Sequence, residues 1–170
     1  SNKVLTLAKL EQHKLEMNKK EVPLSPMIED LIEKFTIKTE KTIHFTTDLK
    51  TEKVYADEEF LKEAISNLID NAIKYSKESV KINISSSSDA NHDIINIYDN
   101  GIGIPQKDQK KIFEKFERAS AIKQTRKGGP SGFGLGLNYV YQVMEAHEGR
   151  VYINSIEGEF SEFSLLIPKI

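Results

Sequence analysis

Residues 63–76 read EAISNLIDNAIKYS, a segment in which polar residues interrupt an apolar helical stripe at regular spacing. Glu63, Asn67, Asn71 and Lys74 follow one another at intervals of four, four and three, which places them on one helix face beside that stripe. Asn is a poor helix former, so two of them one turn apart suggest a function. An amide oxygen is a hard neutral ligand suited to Mg²⁺, and a Lys one turn further can meet a phosphate. Taken alone, the segment is explained equally well as a solvated helix face.

A second motif, DNGIGIP at residues 99–105, directly follows a predicted strand. Gly101 and Gly103 permit tight backbone turns and the close approach of a ligand. The carboxylate of Asp99 can accept a hydrogen bond from an exocyclic amine such as that of adenine. By itself, this motif is more often an ordinary Asp-Asn-Gly turn.

A third motif, GFGLGL at residues 132–137, opens a predicted helix. Glycines at a helix N-terminus expose backbone N–H groups and the positive end of the helix dipole, which suits a phosphate. The motif is not a Walker A loop, because no Gly-Lys-Ser/Thr follows it. It is also a poor dinucleotide fingerprint, because a loop rather than a strand precedes it.

Around these motifs the chain alternates helices with antiparallel strand pairs. Ser25 is the predicted N-cap of a helix with Pro26 at its first position, and Asp57 is the predicted N-cap of the helix with the two Asn residues. The predicted helices cover residues 3–19, 26–39, 58–75, 105–113 and 135–146. The predicted strands cover residues 42–47, 53–55, 80–86, 93–98, 150–155 and 160–167. This order predicts an α+β fold with helices on one face of a mixed, largely antiparallel sheet.

Length and composition narrow the function classes. A chain of 170 residues is about one domain and buries roughly two-thirds of its unfolded surface, so it needs no covalent or metal staple. The absence of Cys excludes disulfide scaffolds, thiolate metal sites and cysteine catalysis. A net charge of −2 argues against nucleic-acid and acidic-membrane partners, and no apolar run approaches the roughly 20 residues that span a bilayer. The start at Ser1-Asn2 without Met predicts a cut fragment with a cloning scar.

In their order, the motifs closely resemble those of the ATP-binding catalytic domain of bacterial sensor histidine kinases, within the superfamily of gyrase, chaperone, histidine kinase and mismatch-repair ATPases. Residues 67–76 resemble the N box, 99–105 the first glycine box, 113–118 the F box and 132–137 the second glycine box. EAHEGR at 145–150 and LIP at 166–168 match the usual ending of the family, and the resemblance covers residues 22–168. It implies a two-layer α/β sandwich of the Bergerat type that binds ATP and Mg²⁺.

The resemblance also implies a role for each matching position. Asn71 is the expected Mg²⁺ ligand, Asn67 and Lys74 are the expected catalytic residues beside the phosphates, and Asp99 is expected to bind the adenine amino group. A lid is expected at about 117–131. The other expected nucleotide contacts are Tyr75, Gly101, Gly103, Ile104, Phe113, Arg118, Gly132, Phe133, Gly134, Leu135, Gly136 and Leu137.

The residue at position 67 favours a kinase over a hydrolase. In the gyrase-like and chaperone-like relatives this position is a Glu that activates water, whereas an amide cannot accept that proton. Glu63, one turn earlier, is a less favoured substitute base. Three rivals remain open: a degenerate ATP-binding signalling module, a protein serine kinase of the same superfamily, and a slow ATPase.

None of the four His residues lies in the acceptor pattern of the family, in which an acidic residue adjoins the His and a Pro follows. His13 precedes Lys14, and His147 is expected to be structural. We therefore expect residues 1–21 to be the end of a dimerisation helix, residues 22–170 to be the catalytic domain, and the phosphoacceptor helix to be missing. The expected partners are that dimerisation domain and a response regulator, without nucleic-acid or membrane contact. The parent protein is expected to be a homodimer and the fragment to be a monomer. This domain is expected to be cytoplasmic, and the parent protein could be anchored in the bacterial inner membrane.

Overall fold

The computed structural model describes residues 17–117 and 134–170, with the backbone alone for residues 113–117 and 134–135. Strands and helices follow each other in the order that the sequence pattern predicts, with one added strand at the start. The described strands are β1 Lys19–Pro23, β2 Ile43–Leu49, β3 Lys53–Asp57, β4 Val80–Ser88, β5 His92–Asp99, β6 Arg150–Ile156 and β7 Phe160–Pro168. The described helices are α1 Leu24–Lys38, α2 Glu58–Lys74, α3 Gln106–Glu117 and α4 Gly134–Ala146.

Five strands form the main sheet, in the order β2-β4-β5-β7-β6. β2 runs parallel to β4, and every other neighbouring pair is antiparallel. β1 and β3 form a separate antiparallel ribbon. The prediction of an α+β fold with a mixed, largely antiparallel sheet is therefore confirmed.

Alternation along the strands places one face of the main sheet in the core. In β7 the buried residues Phe163, Leu165 and Ile167 alternate with residues that are only half buried. The apolar stripe of α2 supplies the facing layer, with Leu61, Ile65, Leu68 and Ile69 almost fully buried. Each such side chain contributes about 1.5–3 kcal/mol relative to exposure, so the helix layer is held on one face of the sheet.

The start of α2 is capped as the sequence predicts. The Asp57 carboxylate accepts a hydrogen bond from the backbone N–H of Phe60 at 3.1 Å, and Glu58 and Glu59 lie in the first turn. Both features stabilise the positive end of the helix dipole. The second oxygen of the Asp57 carboxylate accepts from the backbone N–H of Asn18 at 2.9 Å. The cap therefore also anchors the segment that leads into β1.

The prediction of a helix over residues 3–19 is wrong at its end. Lys19 lies in β1, which pairs with β3 in the register Val22 to Val54, and Met17 and Asn18 are not helical. Pairing along β1 overrides the weak helical pattern of this segment, because a tertiary partner outweighs local propensity. Residues 3–16 lie outside the described part of the chain, and the division of the chain at residue 21 stays a prediction.

The start predicted for α1 is also wrong. The helix begins at Leu24, and no side chain caps it. The backbone N–H of Leu24 donates to the Glu52 carbonyl at 2.9 Å, so a neighbouring loop satisfies this first donor. Ser25 instead donates its hydroxyl hydrogen to the Glu29 carboxylate at 3.2 Å.

The described helices include none that is long and apolar enough to cross a bilayer.

His147 joins the end of α4 to the start of α2, which confirms its predicted structural role. The side chain is 1% exposed. Its Nε2 accepts from the backbone N–H of Asp57 at 3.0 Å, so the proton lies on Nδ1, which donates to the Val143 carbonyl at 2.8 Å. Burial lowers the pKa of His147, because the charged ring would lose its hydration and its acceptor nitrogen.

We expect His147→Gln to lower the free energy of unfolding at pH 7.5 by about 1–3 kcal/mol, the cost of disturbing a buried hydrogen bond. That deficit should shrink as the pH falls below 6.5, the ordinary pKa of His. Below that value the unfolded wild-type chain binds a proton that its folded state resists, and the wild type loses stability. Urea unfolding at pH 7.5 and 5.5 measures the deficit, with His44→Gln on the exposed edge of β2 as the control. A deficit independent of pH would contradict the neutral state of His147.

Candidate functional site

Two buried amides lie one helical turn apart on α2. Asn67 is 2% exposed and Asn71 is 6% exposed, and neither Nδ2 atom has a hydrogen-bond partner among residues 17–117 and 134–170. A buried polar group without a partner costs about 1–3 kcal/mol, and an amide can turn either its nitrogen or its oxygen to the same space. Two such groups on one helix face indicate a polar ligand, and they exclude the solvated helix face that the sequence left open.

The first turn of α4 lies close to one of these amides. A Cβ atom on Gly136 would lie 3.9 Å from both terminal atoms of the Asn71 side chain. The first backbone N–H groups of a helix lack intrahelical partners, and the helix dipole places partial positive charge there. Gly136 of the glycine motif therefore lies beside Asn71, an arrangement that suits a phosphate.

Lys74 lies at the exposed end of the same helix. Its ammonium is 3.8 Å from the Asp70 carboxylate, and its side chain is about half exposed. An exposed ion pair of this kind contributes less than about 1 kcal/mol, so a polyanion can compete for the ammonium at little cost. Lys74 therefore lies about one turn beyond Asn71, in an exposed ion pair that a phosphate could displace.

Asp99 is the buried acidic group of the site. It ends β5, is 8% exposed, and accepts the backbone N–H of Gly101 on Oδ1 at 2.8 Å. Burial raises the pKa of Asp99 to about 6, against the opposing effect of the Gly101 bond. Within the described residues no group donates to Oδ2, so one carboxylate oxygen remains as an acceptor for a ligand.

The turn after Asp99 needs both of its glycines. A Cβ on Gly101 would lie 2.6 Å from the Tyr75 carbonyl oxygen. Gly103 has a φ of +72°, and a Cβ there would overlap the Ile156 carbonyl oxygen. The next residue, Ile104, is fixed through its backbone N–H, which donates to the Ser155 hydroxyl at 2.8 Å. These contacts hold the turn against α2 on one side and the β6–β7 turn on the other.

A narrow pocket lies between α2, this turn and β7. Its walls are mainly apolar, and Asp99 and Ser161 supply polar groups. The lining suits a flat heteroaromatic ring with an exocyclic amine, because the ring can bury against carbon atoms while the amine donates to the carboxylate. The pocket volume is only about 20 Å³, room for about one water molecule, so its walls must move apart to admit a ring. The lining residues are Asn71, Ala72, Tyr75, Asp99, Ile102, Gly103, Ile104, Ser161 and Phe163.

Most predicted site residues within the described chain lie around this pocket. Gly101 and Gly136 adjoin it, and Leu137 packs in the core with 2% exposure. The predicted contacts Phe113, Gly134 and Leu135 belong to α3 and α4, where the backbone alone is described. Arg118, Gly132 and Phe133, with nearly all of the expected lid, lie outside the described residues.

Four lining residues were not singled out from the sequence: Ala72, Ile102, Ser161 and Phe163. Ala72 and Ile102 lie inside quoted motifs and carry no distinctive chemistry. Ser161 and Phe163 reach the site because β7 pairs with β5 in the register Asp99 to Ser161. A sequence pattern predicts which residues of a strand face inward but not which partner each one meets.

Within the described residues, no three His, Cys, Asp or Glu side chains cluster in a way that could hold a metal ion. A divalent cation at this site would therefore depend on amide oxygens, water and the oxygens of a bound ligand. Mg²⁺ is usually held in this way in phosphate sites, because it keeps several waters and uses few protein ligands. Because the Nδ2 atom of Asn71 has no hydrogen-bond partner among the described residues, this amide can turn its oxygen toward such a cation without breaking a bond made by its nitrogen.

Comparisons of the sequence and of the fold with known proteins point to the same family. Residues 56–170 match the family described as histidine kinase-, DNA gyrase B- and HSP90-like ATPase. The chain is 32% identical to the adaptive-response sensory kinase SasA of Crocosphaera subtropica over 97% of this chain and 43% of that protein. It is 30% identical to the sensor histidine kinase WalK of Bacillus subtilis over 98% of this chain and 28% of that protein. The chain therefore spans less than half the length of these curated relatives.

A solved structure also matches. The nucleotide-free catalytic domain of the histidine kinase ThkA superposes with a TM-score of 0.71 and 25% identity, over 90% of this chain and 98% of that one. The match extends over nearly the whole of that solved chain, so the two proteins share this fold.

We expect the stability of the wild type to depend on Asp99 between pH 7 and 4.5. Because burial raises the pKa of Asp99 from 3.8 to about 6, the folded chain binds a proton in this range that the unfolded chain does not. The free energy of unfolding of the wild type should rise relative to Asp99→Asn as the pH falls, by about 2 kcal/mol between pH 7 and 4.5. Urea unfolding of both proteins measures this difference, and Asp48→Asn, at an exposed position of β2, is the control. A constant difference across the range would contradict the raised pKa.

Gly136→Ala separates folding from ligand binding. The added methyl would meet the Asn71 side chain at an ordinary contact distance of 3.9 Å, and Ala is favoured over Gly in a helix by up to about 1 kcal/mol. We expect unchanged or raised thermal stability, together with loss of phosphate-ligand binding because the methyl occupies the space between α4 and the amide. Thermal unfolding and calorimetric titration measure the two effects. Gly103→Ala is the contrasting variant, because it should lower the thermal stability of the protein itself. Retained phosphate-ligand binding by Gly136→Ala would contradict this location for the phosphates.

Proposed function

The chain belongs to the histidine kinase-, DNA gyrase B- and HSP90-like ATPase family as the ATP-binding catalytic domain of a sensor histidine kinase, and we propose that it transfers the γ-phosphoryl group of Mg-ATP to a His of a dimerisation domain. The observation that carries the proposal is the pair of buried amides of Asn67 and Asn71, whose Nδ2 atoms have no hydrogen-bond partner among the described residues. Asn71 both lines the Asp99 pocket and faces Gly136 in the first turn of α4. One end of this arrangement suits a base and the other suits phosphates.

The base lies in the pocket lined by Asp99, with its exocyclic amine donating to the carboxylate. Burial makes this hydrogen bond stronger than the same contact in water, because few water molecules compete for the acceptor. The glycine turn and Phe163 bury the faces of the ring. This end of the site supplies affinity and orientation.

The phosphates lie along α2 toward the N-terminus of α4. Asn71 holds Mg²⁺ through its amide oxygen, and Asn67 lies on the phosphate side with Lys74 as a point charge. The bound cation neutralises phosphate charge and orients the transferring group. The contribution of the chain is position and fixed dipoles, which is the main demand of phosphoryl transfer.

The residue types favour transfer over hydrolysis. The side chain of Asn67 is buried and neutral, so it cannot take a proton from an attacking water. In the proposed step a neutral His nitrogen attacks the γ-phosphorus, the bond to the β,γ-bridging oxygen breaks, and ADP leaves with that electron pair. Among the described His residues none lines the pocket, and both ring nitrogens of His147 are already bonded. The acceptor is therefore proposed to come from the dimerisation domain, and the phosphoryl group to pass onward to a response regulator.

The proposal is tested by calorimetric titration with a non-hydrolysable ATP analogue, with and without Mg²⁺. We expect saturable, Mg²⁺-dependent binding by the wild type. Asn71→Ala should lose the Mg²⁺ dependence and bind the Mg-analogue about tenfold to a hundredfold more weakly, as expected for lost bonds to a charged group. Asn83→Ala is the matched control, because Asn83 does not line the pocket. Its Nδ2 on β4 donates to the Thr46 hydroxyl on β2 at 2.7 Å.

Phosphotransfer to a separately supplied dimerisation domain completes the test. Label that is lost in acid and kept in base indicates phosphohistidine, and Asn71→Ala should abolish it. Acid-stable label would support a serine kinase instead. Rapid release of inorganic phosphate without transfer would support an ATPase, and unchanged nucleotide affinity in Asn71→Ala would overturn the assigned metal position.

A further inference from the structure

Three chain segments meet at the rim of the pocket and are joined by backbone hydrogen bonds. The N–H of Ile102 donates to the Tyr75 carbonyl at 3.0 Å, and the N–H of Gly158 donates to the Ile102 carbonyl at 2.6 Å. These residues belong to the segment after α2, the glycine turn after β5, and the β6–β7 turn. Tyr75 and Ile102 also line the pocket, so the rim and the pocket wall share atoms.

Lys77 closes this chain of contacts into a ring. Its Nζ donates to the Gly158 carbonyl at 2.6 Å, across 81 positions of sequence. Among the described carboxylates none lies within ion-pair distance of the Lys77 ammonium, so its partner is this carbonyl. A charged donor makes a stronger bond to a carbonyl than a neutral donor does. The segment of residues 75–77 therefore holds the β6–β7 turn twice, directly through Lys77 and indirectly through Ile102.

Gly158 is suited to this contact by its backbone. Its φ is +84°, and a Cβ placed on it would meet nothing within 4 Å. The position therefore needs a left-handed backbone but not an absent side chain. A substitution at Gly158 can therefore change the backbone conformation of the turn without introducing a steric clash.

We propose that Lys77 is a positioning residue of the nucleotide pocket, holding the β6–β7 turn against Ile102 and thereby slowing the release of bound nucleotide. When the Lys77 ammonium releases the carbonyl, the turn keeps its Gly158 to Ile102 bond but loses its direct contact with the segment after α2. The pocket wall at Ile102 can then move outward with the turn. The inference rests on the proposed function, because it requires that an adenine nucleotide occupies this pocket.

The test is the rate of release of a fluorescent methylanthraniloyl-ADP, chased with unlabelled ADP in a stopped-flow instrument. We expect Lys77→Ala to raise the release rate about threefold to tenfold, the effect of losing one hydrogen bond. The association rate should change little, and Lys77→Arg, which keeps a charged donor, should stay near the wild type. The matched control is Lys62→Ala on α2, because the Lys62 ammonium bonds to Asp30 at 3.3 Å and does not line the pocket. An unchanged release rate in Lys77→Ala overturns the inference.

A ligand series separates positioning from direct phosphate contact. If Lys77 acts through the rim, Lys77→Ala should weaken adenosine, ADP and a non-hydrolysable ATP analogue by the same factor. A loss that grows with the number of phosphates would mean that the ammonium binds the ligand directly, and the positioning role would be overturned. Wild-type protein that binds none of the three would instead refute the proposed function, so the two failures are distinct.

Variants at Gly158 probe the same ring from its other side. Gly158→Ala strains the left-handed backbone, whereas Gly158→Asn tolerates it. We expect faster release from Gly158→Ala and near-normal release from Gly158→Asn. Adding Lys77→Ala to Gly158→Ala should have little further effect, because both changes undo one contact. Full additivity of the two effects would overturn the inference.

Discussion

The packing of α2 on the main sheet, with α4 beside it, is the constraint on which the site depends. The same helix carries the apolar stripe of the core and, one face further round, the buried amides of Asn67 and Asn71. Because the apolar residues cannot leave the core without a large loss of burial energy, the amides cannot turn to water. Their hydrogen-bonding capacity is thus held at the edge of the core, where a ligand can satisfy it.

The start of α2 and the end of α4 are tied together at the opposite end from the ligand. Asp57 caps α2 with its carboxylate and donates its backbone N–H to the buried ring of His147. A helix pair fixed at this end has little freedom to change its separation where Gly136 faces Asn71. The polar contacts of the fold and the geometry of the site are therefore linked through two rigid helices.

Local patterns in the sequence identified most of the site, and the physical reason is that its groups lie within short motifs. Asn67 and Asn71 share a helix face through the helical repeat, and Gly101 and Gly103 are needed by a turn that follows Asp99 directly. Ser161 and Phe163 were not found, because their place beside Asp99 depends on the pairing register of β7 with β5. The contact from Lys77 to Gly158 spans 81 positions and leaves no local pattern at all.

Periodicity, capping and turn residues within short windows were enough to predict the fold class and the order of nearly all strands and helices. Contacts between distant segments, in contrast, place residues 19–23 in a strand and start α1 without a side-chain cap among the described residues. They also bury the two amides of α2, whose Nδ2 atoms have no partner in that part of the chain. Those outcomes depend on which distant segment lies opposite each group. Burial and partner choice are properties of packing between segments far apart in the chain, and no local pattern contains them.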